Sequence, residues 1–203
     1  MEKIQQIKQY ADYLRLTLLR DNAEKFIHQA QLDKTGYLDF THEILEKEVQ
    51  KRQNTDLERR LRMAKLPRNH DLDLYNETVY NGLHKNQLKE LRELLWLEQA
   101  YNLILMGPSG TGKTYIASGL INDAVKKGYK AYFTTMEDLV NVLKMKEMTS
   151  NALNTYNRYL KAHLIAIDDI MLFPIKKHEA VALFNLINHL HEQCSIIITT
   201  NKS

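Results

Sequence analysis

The sequence predicts an α/β protein, a parallel sheet with helices on both faces, preceded by a small all-helical region. Three observations carry this. From Leu103 onward, short apolar runs alternate with helix-length segments, the pattern of strand–helix–strand units. Before Tyr101 the apolar residues instead recur at spacings of three and four. Between the first short apolar run and a helical segment lies a glycine-rich octapeptide, Gly107-Pro-Ser-Gly-Thr-Gly-Lys113-Thr114.

In the first region, Ile4, Ile7, Ala11, Leu14 and Leu18 form one amphipathic stripe. Asp21 or Asn22 can cap a second helix carrying Phe26 and Ile27. Asp33-Lys-Thr-Gly36 reads as a turn in which Gly36 takes a positive φ. Thr41 is placed as the cap of a third helix running through Ile44, Leu45 and Val49 toward Ala64, stopped by Pro67. Residues 67–84 lack a clear period and read as a linker between a helical domain, 1–66, and an α/β core, 85–203. Leu88, Leu91, Leu94, Leu95 and Leu97 mark one more helix. Strands are expected at 103–106, 131–134, 164–167 and 195–199, and helices at 113–127 (closed by Gly128), 136–145 and 177–193. The unbroken apolar character of the strands implies that both faces are covered. Tyr10 and Tyr13 fall at helical spacing and are assigned to the core.

Composition narrows the class. The 203 residues are 44% hydrophobic and 26% charged, an ordinary globular balance. One cysteine, Cys194, excludes a disulfide framework and a Cys-rich zinc module, and fits a reducing compartment. No apolar run nears the ~20 residues of a membrane span. The polar start, Met1-Glu-Lys-Ile-Gln-Gln, carries no secretory signal. A cytoplasmic protein with no membrane partner is expected. His189 and His191, two apart on a helix, point to different faces and suggest no metal site.

The formal net charge is only +3, but its distribution is uneven. Segment 51–70 holds seven basic residues, Lys51, Arg52, Arg59, Arg60, Arg62, Lys65 and Arg68, against two acidic ones. Such a cluster can neutralise phosphates and release counterions, as nucleic-acid binding requires, and charge alone is equally consistent with a solvated helix face.

The octapeptide fits G-x-x-x-x-G-K-[ST] in the context the chemistry needs. Gly107, Gly110 and Gly112 let the backbone turn tightly, and Pro108, Ser109 and Thr111 complete the loop. Its N–H groups and the positive end of the next helix bind phosphate oxygens. Lys113 would reach the β- and γ-phosphates, and the Thr114 hydroxyl would ligate Mg²⁺. The apolar run at 164–167 ends in Asp168-Asp169. Asp168 is assigned to Mg²⁺ and Asp169 to polarising the attacking water. The last run ends in Thr199-Thr200-Asn201, where Asn201 can contact the γ-phosphate or orient the water. All three motifs lie at carboxyl ends of strands, where open α/β sheets bind ligands. The fold is therefore a P-loop NTPase, and the cofactors are ATP and Mg²⁺.

These motifs, in this order, resemble an AAA+ ATPase of the initiator and helicase-loader clade. Glu46-Lys-Glu-Val-Gln-Lys-Arg52, Leu57-Glu-Arg-Arg-Leu-Arg-Met-Ala-Lys-Leu-Pro67 and Leu94-Leu-Trp-Leu-Glu-Gln-Ala-Tyr-Asn102 narrow the resemblance to the IstB family, helper ATPases of IstA/IstB-type insertion sequences. The resemblance implies ATP-dependent self-assembly on double-stranded DNA and help to a transposase. It makes 107–114 the Walker A loop, Asp168-Asp169 Walker B and Asn201 sensor 1. Asp169 stands where many AAA+ enzymes have Glu, which implies slow hydrolysis or a closely placed water. Family members continue into a last strand, an arginine finger and a lid, whereas this sequence ends at Ser203. ATP binding with impaired hydrolysis and assembly is the expectation. Alternatives are a DnaC-type helicase loader, a small-molecule P-loop kinase and a non-enzymatic ATP-gated DNA-binding module.

Overall fold

The computed structural model describes residues 2–75, 83–170 and 174–201. Backbone contacts divide the chain into two compact units, Met1–Arg59 and Arg60–Ser203.

The first unit is helical: α1 (Glu2–Tyr13), α2 (Thr17–Leu32) and most of α3 (Tyr37–Ala64). The stripe expected to form one helix is broken at Arg15, whose φ is +57°, so Leu18 belongs to α2. Asn22 does not cap a separate helix. It kinks α2 (φ −127°, ψ 16°), and its side-chain amide donates to the Leu18 carbonyl. In the turn after α2 the positive φ falls on Lys34 (+51°), not on Gly36. Helix α3 starts four residues before Thr41, whose hydroxyl donates back to the Tyr37 carbonyl inside the helix. The N-terminus of α2 has no capping side chain of its own. Buried Glu48 of α3 supplies it, accepting from the Leu19 N–H at 2.7 Å. Apolar burial here is thin. Among the described apolar residues of this unit only Ala11 and Ala23 are buried, while Tyr10 and Tyr13, assigned to the core by spacing, are 65% and 88% exposed.

The second unit holds a four-stranded parallel sheet, β1 (Leu103–Met106), β2 (Ala131–Thr135), β3 (Leu164–Asp168) and β4 (Ser195–Thr200), in spatial order β1-β4-β3-β2. Its helices are α4 (Lys85–Glu93), α5 (Lys113–Lys126), α6 (Met136–Met145), α7 (Ser150–Tyr159) and α8 (Lys177–Leu190). The leucine-rich run expected as one helix is cut at Leu94, which takes φ +62° and leads into a 3-10 turn, Leu95–Leu97. Helix α7 lies in a stretch that the sequence left unassigned. Its N-cap is Thr149, whose hydroxyl accepts from the Ala152 N–H. Strand β3 is buried along its whole length, as unbroken apolar runs predict, and so is most of β2. Strand β1 departs from that expectation. It ends the row, and Ile104 and Met106 are 62% and 60% exposed while Leu103 and Leu105 face inward. The core between sheet and helices joins Ile165, Ile167 and Ile196 to Leu139, Val140 and Leu143 of α6 and Leu186 and Leu190 of α8. Cys194 lies within it, and burial raises its thiol pKa to about 12, so it packs as an apolar group. Among the described residues, no helix is long and apolar enough to cross a membrane.

The segment read as a linker is partly ordered on the core. A 3-10 turn, Leu72–Leu74, seats Leu72 against Gly119 of α5, so closely that a Cβ on Gly119 would stand 2.2 Å from Leu72 Cγ. The Ser118 hydroxyl donates to the Asn69 carbonyl, and the Tyr115 hydroxyl donates to that of Asp71. The glycine is therefore a contact surface for the segment before it. Residues 76–82, in the remainder of the expected linker, lie outside the described residues.

Candidate functional site

Strand β1 delivers the chain to the glycine-rich loop, whose first N–H, that of Gly107, donates to the Thr200 carbonyl at the end of β4 (3.4 Å). Gly110 and Gly112 have φ of +84° and +83°, a left-handed backbone that side chains oppose, and Gly112 opens α5 from that conformation. The Thr111 hydroxyl braces the loop by donating to the Pro108 carbonyl at 2.9 Å. Lys113 is the first residue of α5 and is buried, 9% exposed. Its ammonium donates to the carbonyls of Gly107 and Pro108, both at 2.8 Å. A buried cation needs such partners, and here the loop's own backbone supplies them.

Next to Lys113, the Thr114 hydroxyl stands 3.0 Å from both carboxylate oxygens of Asp168, the last residue of β3. Asp168 is 6% exposed. Burial raises its carboxyl pKa, and the hydrogen bonds from Thr199 and Thr114 oppose that rise. A desolvated carboxylate beside a hydroxyl, both hard oxygen donors, fits Mg²⁺. Among the described residues no group of three or more His, Cys, Asp or Glu could hold a metal ion alone. A cation at Thr114 and Asp168 would therefore complete its shell with phosphate and water oxygens. Asp169 follows with φ +54°, a region that Asp tolerates better than most residues. Its N–H donates to the Thr199 hydroxyl at 2.9 Å.

Lys113, Thr114 and Asp169 border a cleft of about 470 Å³, lined also by Ser109, Gly110, Gly112, Tyr115, Asn201, Pro67, Arg68 and Asn69. Every nucleotide-site residue expected from sequence is thus at the ends of β3 and β4, in the loop between β1 and α5, or in the first turn of α5. Asp169 and Asn201 share the cleft with Lys113 and Thr114. Sequence reasoning missed its other wall, Pro67, Asn69 and Tyr115, because nothing in residues 67–69 announces where that segment docks. The available signal was Gly119, a glycine inside an otherwise regular helix.

The seven basic residues are divided between the two units, Lys51, Arg52 and Arg59 in the first and Arg60, Arg62, Lys65 and Arg68 in the second. In the first unit, Lys51, Arg52 and Arg59 border a groove with Arg15, which the sequence had not grouped with them. The Arg52 guanidinium donates to the Arg15 carbonyl at 3.2 Å, and Arg59 pairs with Asp56 at 2.5 Å. In the second unit, Arg60 donates to the Val125 carbonyl near the end of α5 at 2.8 Å, a structural bond. Arg62 and Lys65 are exposed, and Arg68 lines the nucleotide-sized cleft.

Comparison with known proteins gives the family and the fold. Residues 9–203 match the family model described as IstB-like ATP binding protein. Over 198 residues the chain is 46% identical to an IS21-like insertion-sequence ATP-binding protein of Bacteroides fragilis, covering 98% of this chain and 75% of that one. A similar protein from Bacteroides fragilis strain YCH46 is 44% identical over 183 residues, with 90% and 92% covered. Among solved structures, AMPPCP-bound DnaA of Aquifex aeolicus matches with a TM-score of 0.55 at 22% identity, over 68% of this chain and 44% of that one. The DnaC helicase loader matches with a TM-score of 0.55 at 23% identity, over 67% and 78%. The chain spans less than half of that DnaA chain, and likeness at this identity speaks for the fold. On the loop, the sheet order and the family match together, the chain belongs to the IstB-like ATP-binding family and has an AAA+ P-loop fold.

Proposed function

We propose that this chain binds and hydrolyses ATP at the Lys113 cleft, and that it uses that cycle to assemble on double-stranded DNA and assist a transposase. The observation that carries the first half is the convergence of Lys113 and Thr114 at the start of α5 with Asp168 and Asp169 at the end of β3. The loop amides and Lys113 hold the phosphates, and Thr114 and Asp168 hold Mg²⁺, which when bound neutralises charge on the phosphate oxygens. Asp169 accepts a proton from the attacking water, and Asn201 orients that water toward the γ-phosphate. Lys113→Ala removes a charge-assisted contact, so ATP affinity is expected to fall roughly ten- to a hundredfold. Titration of a fluorescent ATP analogue checks this. Equal affinity for Lys113→Ala and the parent would remove the site.

The second half rests on the insertion-sequence relatives and on the groove of the first unit. We assign that unit to DNA contact and assembly and the second to the ATPase. Arg15, Lys51, Arg52 and Arg59 place four cations around one groove, tempered by Glu48 and Asp56. Lys51, Arg52 and Arg59 changed together to Ala are expected to flatten the slope of log affinity against log salt by about two to three, at ~0.9 per phosphate contact. Arg60→Ala, which removes the bond to the Val125 carbonyl, is expected to lower thermal stability and leave that slope unchanged. Filter binding across a salt series separates the two. A partner pull-down with transposase against replicative helicase distinguishes this reading from a helicase loader.

A further inference from the structure

We infer that Thr199 is a positioning residue for the hydrolytic site, using one buried hydroxyl to fix both Asp168 and the turn that presents Asp169. Thr199 is fully buried near the end of β4, in a strand where Val would pack equally well by shape. A buried hydroxyl costs free energy unless its hydrogen bonds are made. This one donates to Asp168 Oδ1 at 2.5 Å and accepts from the Asp169 N–H at 2.9 Å. Its backbone carbonyl also accepts from the Ile170 N–H at 3.2 Å. A Thr hydroxyl has one proton to give and lone pairs to receive, and here both capacities are spent on consecutive residues of the neighbouring strand end.

The consequence is geometric. Asp168 Oδ1 receives the Thr199 hydroxyl while the Thr114 hydroxyl approaches both of its oxygens, so the carboxylate is held between two hydroxyls from different elements. Asp169 is held in its left-handed conformation by the N–H bond to the same Thr199 oxygen. Thr199 does not line the cleft and touches no reacting atom. It acts through the two acids.

The inference rests on the nucleotide reading above, and the test separates the two. Thr199→Val deletes the hydroxyl, and Thr199→Ser keeps it. Three quantities are measured: affinity for a fluorescent ATP analogue in EDTA, the Mg²⁺ concentration that half-saturates its tight binding, and hydrogen exchange of the Asp169 amide by NMR. For Thr199→Val, affinity in EDTA is expected to stay within about twofold, because no phosphate contact is lost. Its Mg²⁺ half-saturation is expected to rise about tenfold or more and the Asp169 amide to exchange faster, as losing a hydrogen bond to a charged group predicts. Thr199→Ser is expected to match the parent. If Thr199→Val does not fold, Thr199→Ala replaces it, with a thermal melt as the control. A merely structural threonine would lower affinity in EDTA and in Mg²⁺ alike, and that result overturns the inference. So does a Val variant with the parent's Mg²⁺ dependence and amide exchange. A parent with no Mg²⁺-dependent nucleotide binding overturns the nucleotide reading and the inference together.

Discussion

Asp169→Asn is expected to lower single-turnover ATP hydrolysis by about 10²–10⁴-fold, the usual contribution of a positioned proton acceptor. ATP affinity should remain within about threefold of the parent, because the change removes no phosphate contact. The substitution is clean for a backbone reason. Asp169 sits at φ +54°, and Asn is as much at home in that region as Asp. The N–H to Thr199 survives, so the turn keeps its shape while the carboxylate loses its basicity. Asp169→Glu tests the other side. The longer arm reaches further into the cleft, but glutamate lacks the preference for this conformation, so any gain in rate comes with a less stable turn. Rapid-quench measurement of phosphate release beside nucleotide titration checks both. Undiminished hydrolysis by Asp169→Asn would move the proton acceptor to another residue.

The second large effect is expected from a residue outside the phosphate loop. Gly119→Ala places a methyl 2.2 Å from Leu72 Cγ, closer than atoms pack, so the 3-10 turn must lift from α5. Overpacking of this kind costs about 1–3 kcal/mol. Alanine repays part of it, because glycine inside a helix is itself unfavourable by about 0.5–1 kcal/mol. The functional loss follows from what the turn carries. Pro67, Arg68 and Asn69 line the cleft, and the segment is tied down by Ser118, Tyr115 and Leu72. ATP affinity is expected to fall about tenfold, equivalent to roughly 1.4 kcal/mol. Adding Leu72→Ala makes room for the new methyl and is expected to recover part of the affinity at a further cost in stability. Thermal melts and nucleotide titration of the two single variants and the double variant measure the coupling. Unchanged affinity in Gly119→Ala would show that the wall at 67–69 contributes nothing to nucleotide binding.

Much of this was legible in the residues. The octapeptide, the acids after β3 and the polar end of β4 have fixed chemical requirements, and those requirements also fix their places in a parallel sheet. The helical region was harder for a physical reason. Its apolar stripe continues in register across Arg15, so periodicity alone cannot see that the backbone turns there. The positive φ at Lys34 in place of Gly36 belongs to the helix end, where the Thr35 N–H returns to the Ala30 carbonyl, and at Leu94 burial holds a leucine in the conformation that glycine prefers. Tyr10 and Tyr13 keep helical spacing yet face outward, because three thin helices leave little interior to fill. The wall at 67–69 and the role of Thr199 were invisible since each depends on a neighbour far along the chain: Asn69 on Ser118, Thr199 on Asp168.

The hydrogen bonds of Lys113 to its own loop bear on what the site can select. Its ammonium donates to two peptide oxygens of its own loop, so a ligand that draws on Lys113 competes with those carbonyls for it. Ligand capture is then an exchange of acceptors. A neutral or singly charged molecule offers Lys113 little that the carbonyls do not, while a polyphosphate outbids them through charge density. Discrimination among ligands begins with what the lysine has to relinquish.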